Sequence, residues 1–158
     1  ITIMRENKEK WNISKVGIMG CSAGGHLAST AATHYSDETR PDFQILVYPV
    51  ISMDEKITHK GSQNQLLGKN PSQEELNDYS NELQVTEDTP PAFIVHCTDD
   101  TTVPVQNSIL YYTSLVENKV PATLHIYPTG GHGWGFSDTF KYLDLWTLEL
   151  ETWLKDVK

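Results

Sequence analysis

The chain is poor in several features that would each direct its reading. It has 2 cysteines among 158 residues, too few for a disulfide scaffold to be the source of its stability. Only 12 lysines and arginines stand against 21 aspartates and glutamates, a net charge of -9, and no basic run offers counter-charges to a row of phosphates. A nucleic-acid partner is therefore not expected; a neutral or cationic ligand suits this balance better. No stretch approaches the roughly 18 apolar residues of a membrane span, and the charged opening ITIMRENKEKWN lacks the apolar centre of a signal peptide. The chain reads as soluble, with no membrane partner. It starts at Ile1 rather than at a methionine, so any leader would lie upstream, and the compartment, cytoplasmic or secreted, stays open. Neither a metal-ligand spacing nor a glycine-rich phosphate loop occurs, so no metal and no cofactor are expected.

What is present is alternation. With 38% hydrophobic and 21% charged residues, the length suits one domain with a real core. A polar, helix-compatible stretch at 3–11 leads into a short apolar strand at 15–19, and then 24–33 is rich in alanine and leucine at helical spacing. FQILVYPV at 43–50 and AFIVHC at 92–97 read as strands covered on both faces, and ATLHIYP at 122–128 as a fourth strand. Helices are expected at 105–118 and 140–157, the second with a broad apolar face from Leu143 to Leu154. Strand, helix, strand, helix implies an α/β fold with a mostly parallel sheet and flanking helices. Between 52 and 91 lies a polar insertion, too long for a connector, with a capping box at Ser72 and Glu75. It leaves the carboxyl end of a parallel strand, where such sheets bind ligands, so a lid or pocket wall is expected.

Within GCSAGGHLAS, Ser22 stands in the turn from the first strand to the first long helix, with Gly20 and Gly24 on either side. That is the pattern of a nucleophile elbow, in which glycines relieve crowding while the turn holds a hydroxyl forward. The helix below supplies unpaired N–H groups, and the Ala23 N–H is the candidate oxyanion donor. A serine nucleophile needs a base. His132, in the glycine-rich PTGGHGWG loop after the fourth strand, is the best placed; His26 is a weaker candidate, and His34, His59, His96 and His125 read as structural or solvated. For the acid, Asp99 and Asp100 follow the third strand, with Asp54 competing, and the order serine, aspartate, histidine suits a parallel sheet of this kind.

Three stretches together, GCSAGGHLAS, PPAFIVHCTDDTTVPVQNS and LHIYPTGGHGWG, resemble the α/β-hydrolase superfamily, in particular its small bacterial carboxylesterase and acetyl-esterase branch, often encoded beside xylan-degrading enzymes. In that family the acid stands four residues after the histidine closing the strand and three before the valine of a Val-Pro pair. Given His96 and Val103-Pro104, the resemblance selects Asp100. Cys97 stands where the family has glycine. The resemblance further implies strands and a second oxyanion donor upstream of Ile1, so 1–158 looks like a partial α/β-hydrolase domain with 52–91 as a lid-like insertion.

Several expectations follow. The relay is Ser22, His132 and Asp100. Cys21, Tyr48 and Trp134 are candidate pocket residues. Cys21 and Cys97 belong to strands about 9 to 10 Å apart, beyond disulfide reach, and both are free thiols. The 15–19 strand presents an open edge through which Val16 and Ile18 could pair with another chain, making a homo-oligomer possible. With one oxyanion donor, the chain alone would be a poor enzyme. The expected activity is serine carboxylic-ester hydrolysis of small or carbohydrate acetyl esters. The alternatives are a prolyl-oligopeptidase-type serine peptidase and a non-catalytic hydrolase domain.

Overall fold

Four runs free of charged residues form the sheet: β1 (Gly17–Cys21), β2 (Phe43–Val47), β3 (Ala92–Cys97) and β4 (Ala122–Tyr127). In this computed structural model, which describes residues 1–157, they pair in parallel in the order β1-β2-β3-β4. The register sets Gly17 beside Phe43, Ile45 beside Phe93 and Val95 beside His125. Parallel neighbours need crossovers, and these are supplied by α2 (Ala23–Thr33), α5 (Gln106–Glu117) and the 52–91 segment. The segment holds α3 (Lys60–Leu67) and α4 (Gln73–Asp78); α1 (Thr2–Glu6) precedes the sheet and α6 (Leu143–Asp156) ends the chain.

Side chains alternate across the two central strands, so each face has its own core. Ile45, Val47, Phe93 and Val95 pack with Trp146 and Leu150 of α6 and with Trp134 and Phe140. Leu46, Ala92 and Ile94 pack on Ala28 of α2 and on Tyr111 and Leu115 of α5. Gln44, wholly buried in β2, is satisfied on both ends: its Oε1 accepts from Tyr111 Oη at 3.0 Å and its Nε2 donates to Pro90 O at 3.0 Å.

Boundaries differ from the sequence reading at turns. The first strand starts at Gly17 instead of residue 15 and runs on to Cys21. Val16 lies outside it, buried, its N–H donating to Asp42 Oδ2 at 2.6 Å. It is packed inside this chain, and Ile18 is partly buried against the core of one sheet face; Met19, 40% exposed, is the apolar residue that β1 leaves uncovered at the unpaired edge. β2 stops at Val47 because Tyr48, at φ 38, turns left-handed just before Pro49. The last helix begins at Leu143, since residues 133–142 form turns around Phe140.

The insertion is tied down by buried polar side chains. Asn81 Nδ2 donates to Ser29 Oγ at 2.7 Å and Thr30 Oγ1 at 3.0 Å, and Asn107 Oδ1 accepts from the Ile51 and Ser52 amides at 2.9 and 3.0 Å. From α2, His26 Nε2 bonds Tyr79 O at 2.8 Å, and from the residue that follows the helix, His34 Nε2 bonds Asp78 O at 3.0 Å. The Ser72–Glu75 capping box forms as expected at the start of α4.

Burial lowers the pKa of His26, His96 and His125 from their ordinary 6.5, with partial opposition from Tyr79 O, Asp100 and Glu149 respectively. The folded protein keeps these rings neutral while the unfolded chain takes up protons first. Their stabilisation is therefore complete above pH 6.5 and declines below it. Thermal unfolding followed from about pH 8 to about pH 5 should show Tm falling once the pH passes below that value; a Tm constant through the range would contradict this.

Candidate active site

Ser22 is the single residue between β1 and α2, held at φ 56 and ψ -122, a conformation that costs a non-glycine residue roughly 1–3 kcal/mol. Four backbone hydrogen bonds enforce it. The Ser22 N–H donates to Val47 O at 3.0 Å, and the Ser22 carbonyl accepts from Gly25, His26 and Val50 at 2.9, 3.3 and 3.0 Å. A serine at a helix N-cap commonly spends its hydroxyl on the first turn, but Ser22 makes no such bond. Its Oγ lies instead 2.8 Å from His132 Nε2.

The flanking glycines have different duties. A Cβ on Gly20 would sit 1.9 Å from Gly24 O, whereas a Cβ on Gly24 would meet nothing within 4 Å. The close approach of strand to helix thus requires glycine at position 20; position 24 is constrained only in giving its carbonyl room.

His132 is carried by the loop after β4. Its Nδ1 donates to Asp100 Oδ2 at 2.6 Å, and the Asp100 side chain is fully buried while His132 is 17% exposed. Asp100 Oδ1 accepts the Thr102 and Val103 amides, each at 2.9 Å, which fixes the carboxylate plane. Asp99, the other acid considered, points to the loop itself. Its oxygens accept from Gly130 N–H at 3.1 Å and Gly131 N–H at 2.8 Å, and these bonds, Gly131 first, hold its pKa below the ordinary value. Gly131 sits at φ 61, where a side chain would be strained. Adjacent carboxylates therefore divide the work: Asp100 meets the imidazole and Asp99 meets the backbone that carries it.

The remaining candidates lie elsewhere. Asp54 Oδ1 accepts the Lys56 amide at 2.9 Å within its own turn. His59 caps α3, and His26, His34 and His125 have the structural settings already described. Cys21 and Cys97 are free, on strands separated by β2. Burial raises both thiols, Cys97 to about 12, so neither is a thiolate near neutrality. Cys97 Sγ donates to Thr129 O at 3.4 Å, and this side chain packs where the resembled family has none.

A cavity of about 660 Å³ opens beside Ala23. Its walls are one face of α2, including His26, Leu27 and Thr30, and residues of the 52–91 segment, including Met53, Leu66 and Tyr79. Cys21, Tyr48 and Trp134, expected as pocket residues, do not line it. Tyr48 is buried beneath His132 with ring centres 4.6 Å apart, and Trp134 stacks on Phe140 at 4.0 Å as part of the core. Sequence could not separate these roles, because an aromatic residue near a loop has the same local pattern in either setting. The cavity residues on α2 were detectable only as a helical stripe, at positions 23, 26, 27 and 30.

An oriented aspartate, an imidazole and a hydroxyl in line form a relay by which the ring can withdraw the serine proton. A family model described as the prolyl oligopeptidase family matches residues 3–157. The chain belongs to that family. Two curated relatives and one solved structure are similar to it over most of its length. An acetylxylan esterase of Xylanibacter ruminicola is 45% identical over 161 residues, covering 98% of this chain and 34% of that protein. Endo-1,4-beta-xylanase B of Butyrivibrio fibrisolvens is 41% identical over 146 residues, covering 84% of this chain and 23% of that protein. The crystal structure of an acetyl ester-xyloside bifunctional hydrolase from Caldicellulosiruptor lactoaceticus matches with a TM-score of 0.92 and 38% identity, covering 99% of this chain and 62% of that one. The chain thus spans 34% or less of these curated relatives and under two thirds of that structure. Within the prolyl oligopeptidase family, its parallel sheet and flanking helices have the α/β-hydrolase architecture.

Two outcomes are expected in the intact protein. Gly20→Ala should destabilise by roughly 2 kcal/mol or more, while Gly24→Ala stays within about 1 kcal/mol of the original, as read by denaturant unfolding. Asp100→Asn should lower kcat by about 10⁴-fold, and Asp99→Ala by about tenfold through displacement of the loop, in a nitrophenyl acetate assay. Equal losses at the two positions would show that the division of work is wrong.

Proposed function

We propose that the protein is a serine carboxylic-ester hydrolase acting on carbohydrate acetyl esters by way of an acyl-Ser22 intermediate. The observation that carries this reading is the continuous line from Asp100 Oδ2 through His132 to Ser22 Oγ, with separations of 2.6 and 2.8 Å. His132 would take the Ser22 proton as Oγ attacks the ester carbonyl and return it to the departing sugar hydroxyl; Asp100 would hold the imidazolium that forms in between. The Ala23 N–H, at the start of α2, is the proposed oxyanion donor. Water, deprotonated by His132, would then attack the acetyl carbonyl, and as the bond to Ser22 Oγ breaks the proton would return to that oxygen, releasing acetate. The 52–91 segment would act as the wall of the substrate cavity beside this centre, supported by the residues it contributes there. Esterase and xylanase relatives support a plant-polysaccharide ester as substrate.

The family description favours a second reading, a peptidase cleaving amino-terminal dipeptide amides with the same relay. Assays on the intact protein separate them: acetate release from acetylated xylan is expected, and dipeptide amide cleavage is not. Ser22→Ala should remove the esterase activity by a factor of roughly 10⁴ to 10⁶ and abolish labelling by a fluorophosphonate. An unlabelled Ser22 in the intact protein would favour a non-catalytic domain.

A further inference from the structure

The relay contains a second histidine. His96, next to last in β3, lies directly behind Asp100 and is wholly buried. Its Nε2 lies 3.2 Å from Asp100 Oδ2 and 3.0 Å from Val103 O, and its Nδ1 lies 2.7 Å from Ser108 Oγ on α5. The two oxygens facing Nε2 come from a carboxylate and a carbonyl, and both only accept, so Nε2 carries the hydrogen. Nδ1 of the neutral ring then accepts from the Ser108 hydroxyl. This tautomer makes His96 a donor to the same Asp100 oxygen that His132 uses.

We propose that His96 is a positioning residue for the relay: its Nε2–H aims Asp100 Oδ2 at His132 and draws off part of the charge with which that oxygen holds the imidazolium. The inference rests on the ester-hydrolase reading above. Without His96, Asp100 would keep its two amide bonds at Oδ1, but Oδ2 would have His132 as its one side-chain donor. The carboxylate would then be freer to swing and would bind the charged imidazole more strongly. Other groups around the pair add little competing titration. From β1, Cys21 faces Tyr48, and burial raises both, Tyr48 to about 12. Cys97 on β3 is raised to about 12, and Asp99 is committed to the glycine amides of the loop. All of these keep one charge state through the neutral range.

A purely structural role would be to tie the 97–103 loop and α5 to β3, and the two roles predict different pH behaviour. The test is kcat/KM against pH for the intact enzyme with nitrophenyl acetate, comparing His96→Gln, His96→Asn and His96→Phe. The glutamine amide falls near Nε2 and keeps a donor toward Asp100; the asparagine amide falls near Nδ1 and keeps only the Ser108 side; phenylalanine fills the space without either. His96→Phe and His96→Asn should lose about tenfold to a hundredfold in kcat/KM and move the acid limb upward by about half to one pH unit. His96→Gln should retain the original limb and most of the rate. Should His96→Phe fail to fold, the contrast of Asn with Gln decides alone. An unmoved acid limb in the folded donor-less variants, or equal losses in Asn and Gln, overturns the proposal. Ser22→Ala measured alongside keeps the two readings apart: if it retains activity the ester-hydrolase reading falls, and if it is inactive while the acid limb stays in place only the role of His96 falls.

Discussion

The site depends on the backbone of Ser22 being kept where a serine would not rest by itself. Its positive φ survives because both of its peptide groups are engaged, by Val47 at the end of β2 and Val50 just beyond the turn that follows, and by Gly25 and His26 from the first turn of α2. These bonds exist only when β1 and β2 are in register and α2 is seated on the sheet. The strain is thus a product of the whole parallel sheet, and it turns the hydroxyl out of its usual capping role toward the neighbouring strand ends. Gly20 belongs to the same constraint, since any side chain there would push strand and helix apart.

The second half of the site answers to a different requirement, the holding of a histidine on an irregular loop. Its ring is fixed by Asp100 and by packing over Tyr48, and its backbone by Asp99. Both aspartates follow β3, the strand that is buried at every position. Rigid central β3 thereby supplies what the loop after edge strand β4 lacks. The insertion is pinned in a similar way, with Asn81 bonded to Ser29 and with His26 and His34 holding its far end over the helix that Ser22 begins. A cavity between α2 and the insertion follows directly from that attachment.

Much of this was legible in the one-dimensional pattern. Charge-free runs marked every strand, but cover on both faces explains only the two central ones: β3 is buried at every position and β2 at all but Phe43, whereas the edge strands β1 and β4 are only partly buried, with Met19 and Ile126 each 40% exposed. The small residues around Ser22, the glycine-rich setting of His132 and the capping box at Ser72 are local features, decided by neighbours within a few residues. Strand ends were placed less well, since β2 ends on the backbone of Tyr48 before Pro49 and β1 begins after Val16 has been claimed by the core.

By itself the sequence determined the class of fold and the order of its strands, and it offered Ser22, His132 and the aspartates after β3 as candidates for a relay. Only the tertiary structure decided how those side chains meet: Ser22 and His132 are 110 residues apart in the chain, and their contact depends on strand register and loop path, which no local periodicity encodes. It also decided that Trp134 and Tyr48 belong beneath the site, that Val16 is interior, that Gly20 rather than Gly24 is sterically required, and that His96 shares the oxygen of Asp100. Each of these depends on which residues approach from other elements. Burial and hydrogen-bond geometry are properties of such encounters, whereas a residue's neighbours in sequence report only on its own turn or strand.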